Sequence, residues 1–203
     1  MISGGFCPIQ IGLYRNMAIK VYVDQGHNPV NPNAGAEGQG LREQDIVYEI
    51  GVILADILNA NPDFSARLSR RTPSTILGTS NASSLRIRVD DANSWGADVF
   101  ISLHTNSSSS ESATGSEALV FSTGTSAYRL AEDILRGLNR TTGLRNRGVV
   151  VRPGLYVLRR TRMPAVLVEL GFISNPQDAL LMSSRPDLFA EGIYQGLRAY
   201  YGV

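Results

Sequence analysis

The stretch AIKVYVDQGHNP, residues 18–29, joins an alternating apolar run to a short polar segment that contains a histidine. The run 18–23 has the pattern of a β-strand that other parts of the protein cover. His27 follows just after its end, and Gly26 predicts a tight backbone turn there. The sequence therefore places an imidazole at the carboxyl end of a predicted strand.

The second of the two histidines, His104, has the same setting. It ends the apolar run 98–103, DVFISL, and is followed at once by polar residues. In open α/β sheets, ligands bind at the carboxyl ends of the strands. A single histidine at a strand end is more often a structural residue. Two histidines at matching positions are as well explained by a shared functional site as by two separate structural roles.

The rest of the chain alternates between strand-like and helix-like patterns. Further strands are predicted at 64–69, 117–121, 155–159 and 165–170, and several are near-continuous apolar runs, typical of strands covered on both faces. Apolar residues at helical spacing predict helices around 46–58, 85–95, 130–138 and 189–200, and Gly143 would end the third. This alternation predicts an α/β domain with helices on both faces of the sheet.

The composition restricts the classes of function. The 203 residues fit one globular domain, and nineteen basic against eighteen acidic residues give a formal charge of +1. This near-balance argues against nucleic acid binding driven by net charge. Cys7 is the single cysteine, which excludes an internal disulfide and a cysteine-based zinc site. No apolar run approaches the roughly 18 residues of a membrane-spanning helix.

A pair of imidazoles suggests a metal, and catalytic zinc sites commonly have three protein ligands plus water. Without a nearby cysteine, the third ligand should be a carboxylate. Glu43 is one candidate, because it begins the first helical pattern after the Gly-rich loop AGAEGQG. Asp24 is another, either as a ligand or as a partner that orients an imidazole. Glu37, within the loop, has a weaker case.

Hydrolysis assisted by a metal also needs a group that moves protons. Glu169 follows the apolar residues 165–168, and the apolar run continues past it through 170–173. A carboxylate with such neighbours is expected to have a raised pKa, which suits a general acid/base. The alternative is a solvent-facing glutamate at a strand end, which the continuing apolar run disfavours.

Four motifs, in this order, resemble those of the zinc-dependent N-acetylmuramoyl-L-alanine amidases of the amidase 3 family, which are cell-wall hydrolases. They are DxGH at 24–27, Glu-x-Asp at 43–45, S-[IL]-H-x-N at 102–106 and ExGF[IL]SN at 169–175. The stretches 88–106 and 155–175 and the sequence NRGV at 146–149 are also similar, so the resemblance runs from about residue 18 to the C terminus. Gln25 and Asn28 depart from it, because family members often have Pro and Gly there. This departure concerns the shape of the loop and not the chemistry.

The resemblance implies both a reaction and a set of site residues. The reaction is zinc-dependent hydrolysis of the amide between N-acetylmuramic acid and L-alanine in peptidoglycan. The fold is a twisted, mostly six-stranded sheet flanked by helices. The implied zinc ligands are His27, Glu43 and His104, the catalytic glutamate is Glu169, and the expected supporting or substrate-binding residues are Asp24, Arg88 and Asn106.

A glycan and peptide substrate calls for an open groove, which we expect the loop 107–115 to border. Some amidases that resemble this chain carry a long helical insertion that covers the zinc until an activator displaces it. Here about five residues, TGTSA at 123–127, connect the strand to the helix, too few for a covering helix. We therefore expect an open site that needs no activator protein and acts on the cell wall, outside the cytoplasm.

Residues 17–203 are then expected to form the amidase catalytic domain. Residues 1–16 have no charged segment followed by an apolar one, so they do not resemble a signal peptide. They are a native lead-in, a remnant of processing or added sequence.

Two alternatives remain, a wall-binding module without turnover and another zinc hydrolase such as a carboxypeptidase. The reaction products distinguish these alternatives from an amidase. An amidase frees the N terminus of L-alanine, a carboxypeptidase frees a C-terminal residue, and a binding module frees nothing.

Overall fold

The computed structural model describes residues 17–203, so the lead-in 1–16 with Cys7 lies outside the described residues. The strands are β1 Ile19–Gln25, β2 Glu37–Gly38, β3 Leu41–Arg42, β4 Phe64–Leu68, β5 Val99–Asn106, β6 Ser116–Val120, β7 Asn146–Val151 and β8 Ala165–Phe172. Six of them form one mixed sheet in the order β4-β1-β5-β8-β6-β7, and β2 pairs with β3 in a small hairpin.

The helices cover both faces of this sheet, as the sequence predicts. They are α1 Glu43–Ala60, α2 Asn81–Trp95, α3 Ser126–Thr142, α4 Tyr156–Arg160, α5 Pro176–Ser184 and α6 Pro186–Tyr201. Apolar side chains of α1, α3, α5 and α6 form the core on one face, and those of α2 and α4 form a smaller core on the other. Within residues 17–203, none of the helices has the length and apolar character needed to cross a membrane.

The strand directions bring two kinds of strand end together. Strands β4, β1, β5 and β8 run parallel, whereas β6 pairs antiparallel with β8 and β7 runs parallel to β6. The carboxyl ends of β1, β5 and β8 therefore lie beside the amino ends of β6 and β7. We call this side of the sheet the site edge.

The alternation of side chains decides which face carries the polar residues at the site edge. On β8, Val168 belongs to the larger core and Leu167 to the α2/α4 core, so Glu169 faces the α2/α4 side. On β5, Phe100 belongs to the α2/α4 core, and His104, four positions later, faces the same way. The two predicted site residues therefore share one face.

Local capping signals set the ends of several helices. α2 begins with a capping box between Ser80 and Ser83, and the Thr125 hydroxyl accepts a hydrogen bond from the N–H of Tyr128 at the start of α3. α3 ends at Gly143 in the left-handed conformation, with φ 73°. The prediction that Gly143 ends this helix is confirmed.

The predicted strand at 155–159 is wrong, because this stretch forms α4. A short apolar run does not distinguish a strand from a helical turn by periodicity alone. Val157 and Leu158 are buried, whereas Arg159 and Arg160 are exposed, which is the pattern of a one-sided helix. The strand in this part of the chain is β7 instead, and its half-exposed sequence NRGVVV lacks a clear apolar signal. The short helix α5 was likewise not predicted.

Helices α3 and α6 are in close contact at Gly137. A Cβ atom built there would lie 2.0 Å from the carbonyl oxygen of Gly192. Because the obstacle is backbone, the helices would have to separate. We expect Gly137→Ala to lower the free energy of unfolding by about 1–3 kcal/mol in chemical denaturation, despite the better helix propensity of alanine.

The matched control is Gly154→Ala, where a Cβ atom would meet nothing within 4 Å. This variant should unfold within about 0.5 kcal/mol of the wild type. Equal stability of the two alanine variants would contradict the close helix contact.

Candidate active site

Three side chains converge at the site edge. His27 follows β1, Glu43 is the first residue of α1, and His104 lies near the end of β5. His27 Nε2 and His104 Nδ1 are 3.1 and 3.0 Å from the same oxygen, Glu43 Oε1. The two imidazole centroids are 4.8 Å apart, and the rings are inclined at 77°. One donor atom of each residue lies within 4.8 Å of the others, so the three form one group.

The donors in this group fit a metal ion. Two imidazoles and one carboxylate oxygen are ligands that catalytic zinc takes in proteins. Ligand atoms around a tetrahedral zinc lie roughly 3.3 Å apart. The distances of 3.1 and 3.0 Å from the two imidazole nitrogens to Glu43 Oε1 are close to this value. His27 Nδ1 is also buried without a hydrogen-bond partner among residues 17–203. Each histidine side chain stays 20% exposed, which leaves this group open to small molecules.

Glu43 is fixed by backbone donors on both of its oxygens. The N–H of Thr105 donates to Oε1 and the N–H of Ala36 to Oε2, both over 2.9 Å. The Gly-rich loop folds back through the β2-β3 hairpin, which brings Ala36 to this position. Burial alone would raise the pKa of Glu43, but hydrogen bonds from His104 and His27 outweigh it and hold the pKa well below its usual range. Glu37 is exposed in the hairpin and lies outside the group.

The turn after β1 differs from the expectation. The left-handed conformation falls on His27, with φ 64°, and not on Gly26. Gly26 is instead required for close packing, because a Cβ atom there would lie 2.5 Å from the carbonyl oxygen of Leu103 and 2.6 Å from His104 Cε1. The absent side chain of Gly26 thus leaves the space that His104 occupies.

Asp24 and Arg88 lie beneath the metal donors as a buried ion pair. Arg88 Nη1 donates to Asp24 Oδ1 and to the carbonyl of Gln25, both over 2.6 Å. Arg88 Nη2 donates to the carbonyl of His27, and the Ser102 hydroxyl donates to Asp24 Oδ2. Burial would raise the pKa of Asp24, but the charge of Arg88 and these hydrogen bonds lower it, so the carboxylate stays ionised.

The two departures from the family pattern serve as internal braces. The Gln25 side chain packs on Gly51 of α1 and accepts a hydrogen bond from the N–H of Arg70 over 2.9 Å. The Asn28 side chain accepts from the N–H of Leu77 over 3.0 Å and donates to the carbonyl of Leu77 over 3.1 Å. Both side chains are buried, so they shape the loops around His27 from inside the protein.

Glu169 pairs with His104 in the register of β5 and β8, so the two lie side by side. Its Oε2 is buried without a hydrogen-bond partner among residues 17–203. Burial raises the pKa of Glu169 to about 7, as its apolar neighbours suggest. The charges of Glu43 and Glu117 act in the same direction, and His104 opposes them. Glu169 is thus an unengaged carboxyl group beside the metal donors.

Two further charged residues extend this row and were missed by the sequence analysis. Glu117 pairs with Glu169 across β6 and β8, and Asn106 Nδ2 donates to Glu117 Oε1 over 2.9 Å. Arg147 Nε lies 3.6 Å from Glu117 Oε2. The available signals were a glutamate at the start of a predicted strand and the arginine of NRGV.

The surroundings of the row are partly open. A cavity of about 190 Å³ lies beside the two histidines, lined by apolar side chains that include Leu85, Val157 and Leu167. The loop 107–115 is fastened to the start of α5, since Asn175 Nδ2 donates to the carbonyl of Glu111 and Thr114 donates to Asp178.

Residues 21–199 match the sequence profile of the amidase 3 family, described as N-acetylmuramoyl-L-alanine amidase. The chain belongs to this amidase family. A relative in the family, the N-acetylmuramoyl-L-alanine amidase LytC of Bacillus subtilis (strain 168), is 36% identical over 187 residues, which are 89% of this chain and 35% of LytC. The chain thus spans about a third of the length of LytC.

Solved structures agree with the family assignment. An N-acetylmuramoyl-L-alanine amidase from Clostridium difficile 630 is 30% identical with a TM-score of 0.81, over 92% of this chain and 98% of that one. The CwlD amidase of Clostridioides difficile, solved in complex with the GerS lipoprotein, is 23% identical with a TM-score of 0.82, over 91% and 98% of the two chains. The likeness to CwlD shows the fold alone. The six-stranded mixed sheet flanked by helices is the fold of the family.

Removing Arg88 should leave Asp24 as a buried charge without its partner. We expect Arg88→Met to lower the free energy of unfolding by about 3–5 kcal/mol in chemical denaturation. Adding Asp24→Asn should recover part of this loss, because the unpaired charge is then gone.

Arg86→Met is the control, since Arg86 is an exposed residue of the same helix. Its stability should stay within about 0.5 kcal/mol of the wild type. An Arg88→Met variant as stable as Arg86→Met would show that the buried pair does not stabilise the fold.

Proposed function

We propose that the chain is a zinc-dependent N-acetylmuramoyl-L-alanine amidase, which hydrolyses the amide between N-acetylmuramic acid and L-alanine in peptidoglycan. The observation that carries the proposal is the convergence of His27, Glu43 and His104 beside the unengaged carboxyl of Glu169, in a chain of this amidase family. Peptidoglycan lies outside the cytoplasm, so the proposed place of action is the cell wall.

His27, Glu43 and His104 would hold the zinc through the donor atoms that already face one another. Bound zinc supplies Lewis acidity, which lowers the pKa of water and polarises the amide carbonyl. The backbone N–H groups of Thr105 and Ala36 keep the Glu43 carboxylate in the orientation that this role requires.

Glu169 is proposed as the proton carrier. Oε2 makes no hydrogen bond within residues 17–203, so it is available to a water beside His104. As the water attacks the carbonyl carbon, Glu169 accepts its proton and then delivers it to the amide nitrogen. The C–N bond breaks, the alanine leaves with a free amine, and the lactyl group keeps a carboxylic acid, which then releases its proton to solvent.

Asp24, Arg88 and Asn106 are proposed to hold other residues of the site in place. Arg88 binds the carbonyls of Gln25 and His27, which fixes the backbone that presents the imidazole. Asn106 holds Glu117, the cross-strand neighbour of Glu169.

Zinc content tests the ligand assignment. The purified wild type should bind about one zinc per chain, and His27→Ala and His104→Ala should each lose most of it, because catalytic zinc requires about three protein ligands. Elemental analysis after dialysis measures this directly. Glu37→Ala, which removes an exposed carboxylate of the adjacent hairpin, is the control and should keep its zinc. Full occupancy in both histidine variants would refute the assignment.

Product analysis tests the reaction and the role of Glu169. Mass spectrometry of digested peptidoglycan should show new N-terminal L-alanine, and a chelator should prevent its appearance. Glu169→Gln should keep zinc and lose roughly 10²–10⁴-fold in turnover, because an amide cannot accept the proton. Glu49→Gln on α1 is the matched control and should retain activity. Release of a C-terminal residue instead would identify a carboxypeptidase.

The same digestion tests whether the enzyme needs an activator protein. The link between β6 and α3 is residues 121–125, and we propose that this short link leaves the site open without a covering helix. The purified chain with zinc alone should therefore be active. A protein that stays inert until a partner is added would overturn this part of the proposal.

A further inference from the structure

Arg147, in the stretch NRGV at the start of β7, has no part in the chemistry proposed above. It stands at the end of a row that crosses four neighbouring strands. His104 pairs with Glu169, Glu169 pairs with Glu117, and Arg147 contacts Glu117. Adjacent strands are about 4.8 Å apart, so the backbone of Arg147 lies two strands, or roughly 10 Å, from that of Glu169.

The guanidinium of Arg147 is held on three sides. Nε lies 3.6 Å from Glu117 Oε2, and Nη1 donates to the carbonyl of Thr114 over 3.2 Å. The guanidinium carbon is 5.0 Å from the centre of the Phe172 ring. Because Asn106 in turn fixes Glu117, the orientation of this cation is set before any substrate arrives.

Part of the guanidinium remains available. Arginine carries five N–H donors, and no hydrogen bond within residues 17–203 uses Arg147 Nη2. The side chain is 33% exposed. A planar cation with a fixed orientation and free donors is suited to a carboxylate, which it binds through two parallel hydrogen bonds.

We propose that Arg147 binds a carboxylate of the peptide stem, on the amine side of the scissile amide. This inference rests on the proposed amidase function. The sugar side offers no free carboxylate, since the lactyl carboxyl is itself part of the amide. An extended peptide spans at most about 3.3–3.6 Å per residue, so the second or third residue of the stem reaches the side chain of Arg147.

The charges of the row give a second reason for this assignment. A stem carboxylate that approaches Glu169 and Glu117 meets two acidic groups, and like charges repel one another at this distance. Arg147 supplies the opposite charge at that end of the row. Without Arg147, a carboxylate on the substrate should hinder binding.

The test uses pairs of soluble N-acetylmuramyl-L-alanyl peptides that differ only in a free carboxylate or a carboxamide, on the second residue in one pair and on the third in the other. The wild type should prefer the free carboxylate of one pair by about tenfold in kcat/KM, chiefly through KM. Arg147→Gln should remove or reverse the preference, and Arg147→Lys should retain part of it. Arg145→Gln, at the exposed neighbouring arginine, is the control and should keep it.

The ratio of kcat/KM between the two members of each pair distinguishes binding of the carboxylate from a purely structural role of Arg147. If Arg147 only supports Thr114 and the loop 107–115, Arg147→Gln lowers kcat/KM for both members of each pair equally and leaves the ratio unchanged. That result, or a wild type without preference in either pair, would overturn the proposal.

Binding measurements make the test independent of turnover. Calorimetry of zinc-loaded Glu169→Gln protein with the same peptides should show the preference, and its loss in the double variant with Arg147→Gln. If the wild type releases no alanine N terminus but the binding preference is present, the proposed function fails while this assignment stands. Equal affinities for both members of each pair would refute the role of Arg147 whatever the turnover.

Discussion

The alternation of side chains along β1, β5 and β8 is the constraint on which the candidate site depends. Facing positions on these parallel strands form layers that become more polar toward the site edge. The first layer is apolar, and the second combines polar and apolar side chains. The third carries residues of the candidate site. The layers are Tyr22, Phe100 and Ala165, then Asp24, Ser102 and Leu167, then His104 and Glu169, with Gly26 packed against His104. A shift of one residue in the register of any of these strands would point the polar side chains at its end into the core on the opposite face of the sheet.

Arg88 stabilises the polar layers near the site edge. It is a fully buried arginine beneath the candidate metal donors, and a buried cation requires both a counter-charge and hydrogen-bond acceptors. Asp24 provides the charge, and the carbonyls of Gln25 and His27 provide acceptors. The same contacts hold the backbone at His27, whose left-handed conformation is unfavourable for a residue with a side chain. One side chain on α2 therefore links the helices on this face of the sheet to the position of His27, a proposed metal donor.

The features that the sequence predicted are those with a local signal. His27, His104 and Glu169 each follow an apolar run, so each stands out without knowledge of its neighbours. Glu43 follows a Gly-rich loop at a helix start, a signal that left it one of three candidate carboxylates until the family resemblance selected it. The role of Glu117 could not be found this way, because its proximity to Glu169 depends on the reversed direction of β6. The predicted strand at 155–159 failed for a related reason. A five-residue apolar run takes its conformation from its packing against β8 and α2 and not from its own pattern.

The mixed direction of the sheet divides the site between two kinds of chain segment. Two of the proposed metal donors and the proposed proton carrier lie at or just beyond the ends of strands that run toward the site edge. Glu117 and Arg147 lie where strands depart from it, so the segments before them, 107–115 and 143–145, are entry loops. A change in these entry loops would therefore alter the surface beside the candidate reactive centre, whereas a shift in the register of β1, β5 or β8 would alter the centre itself.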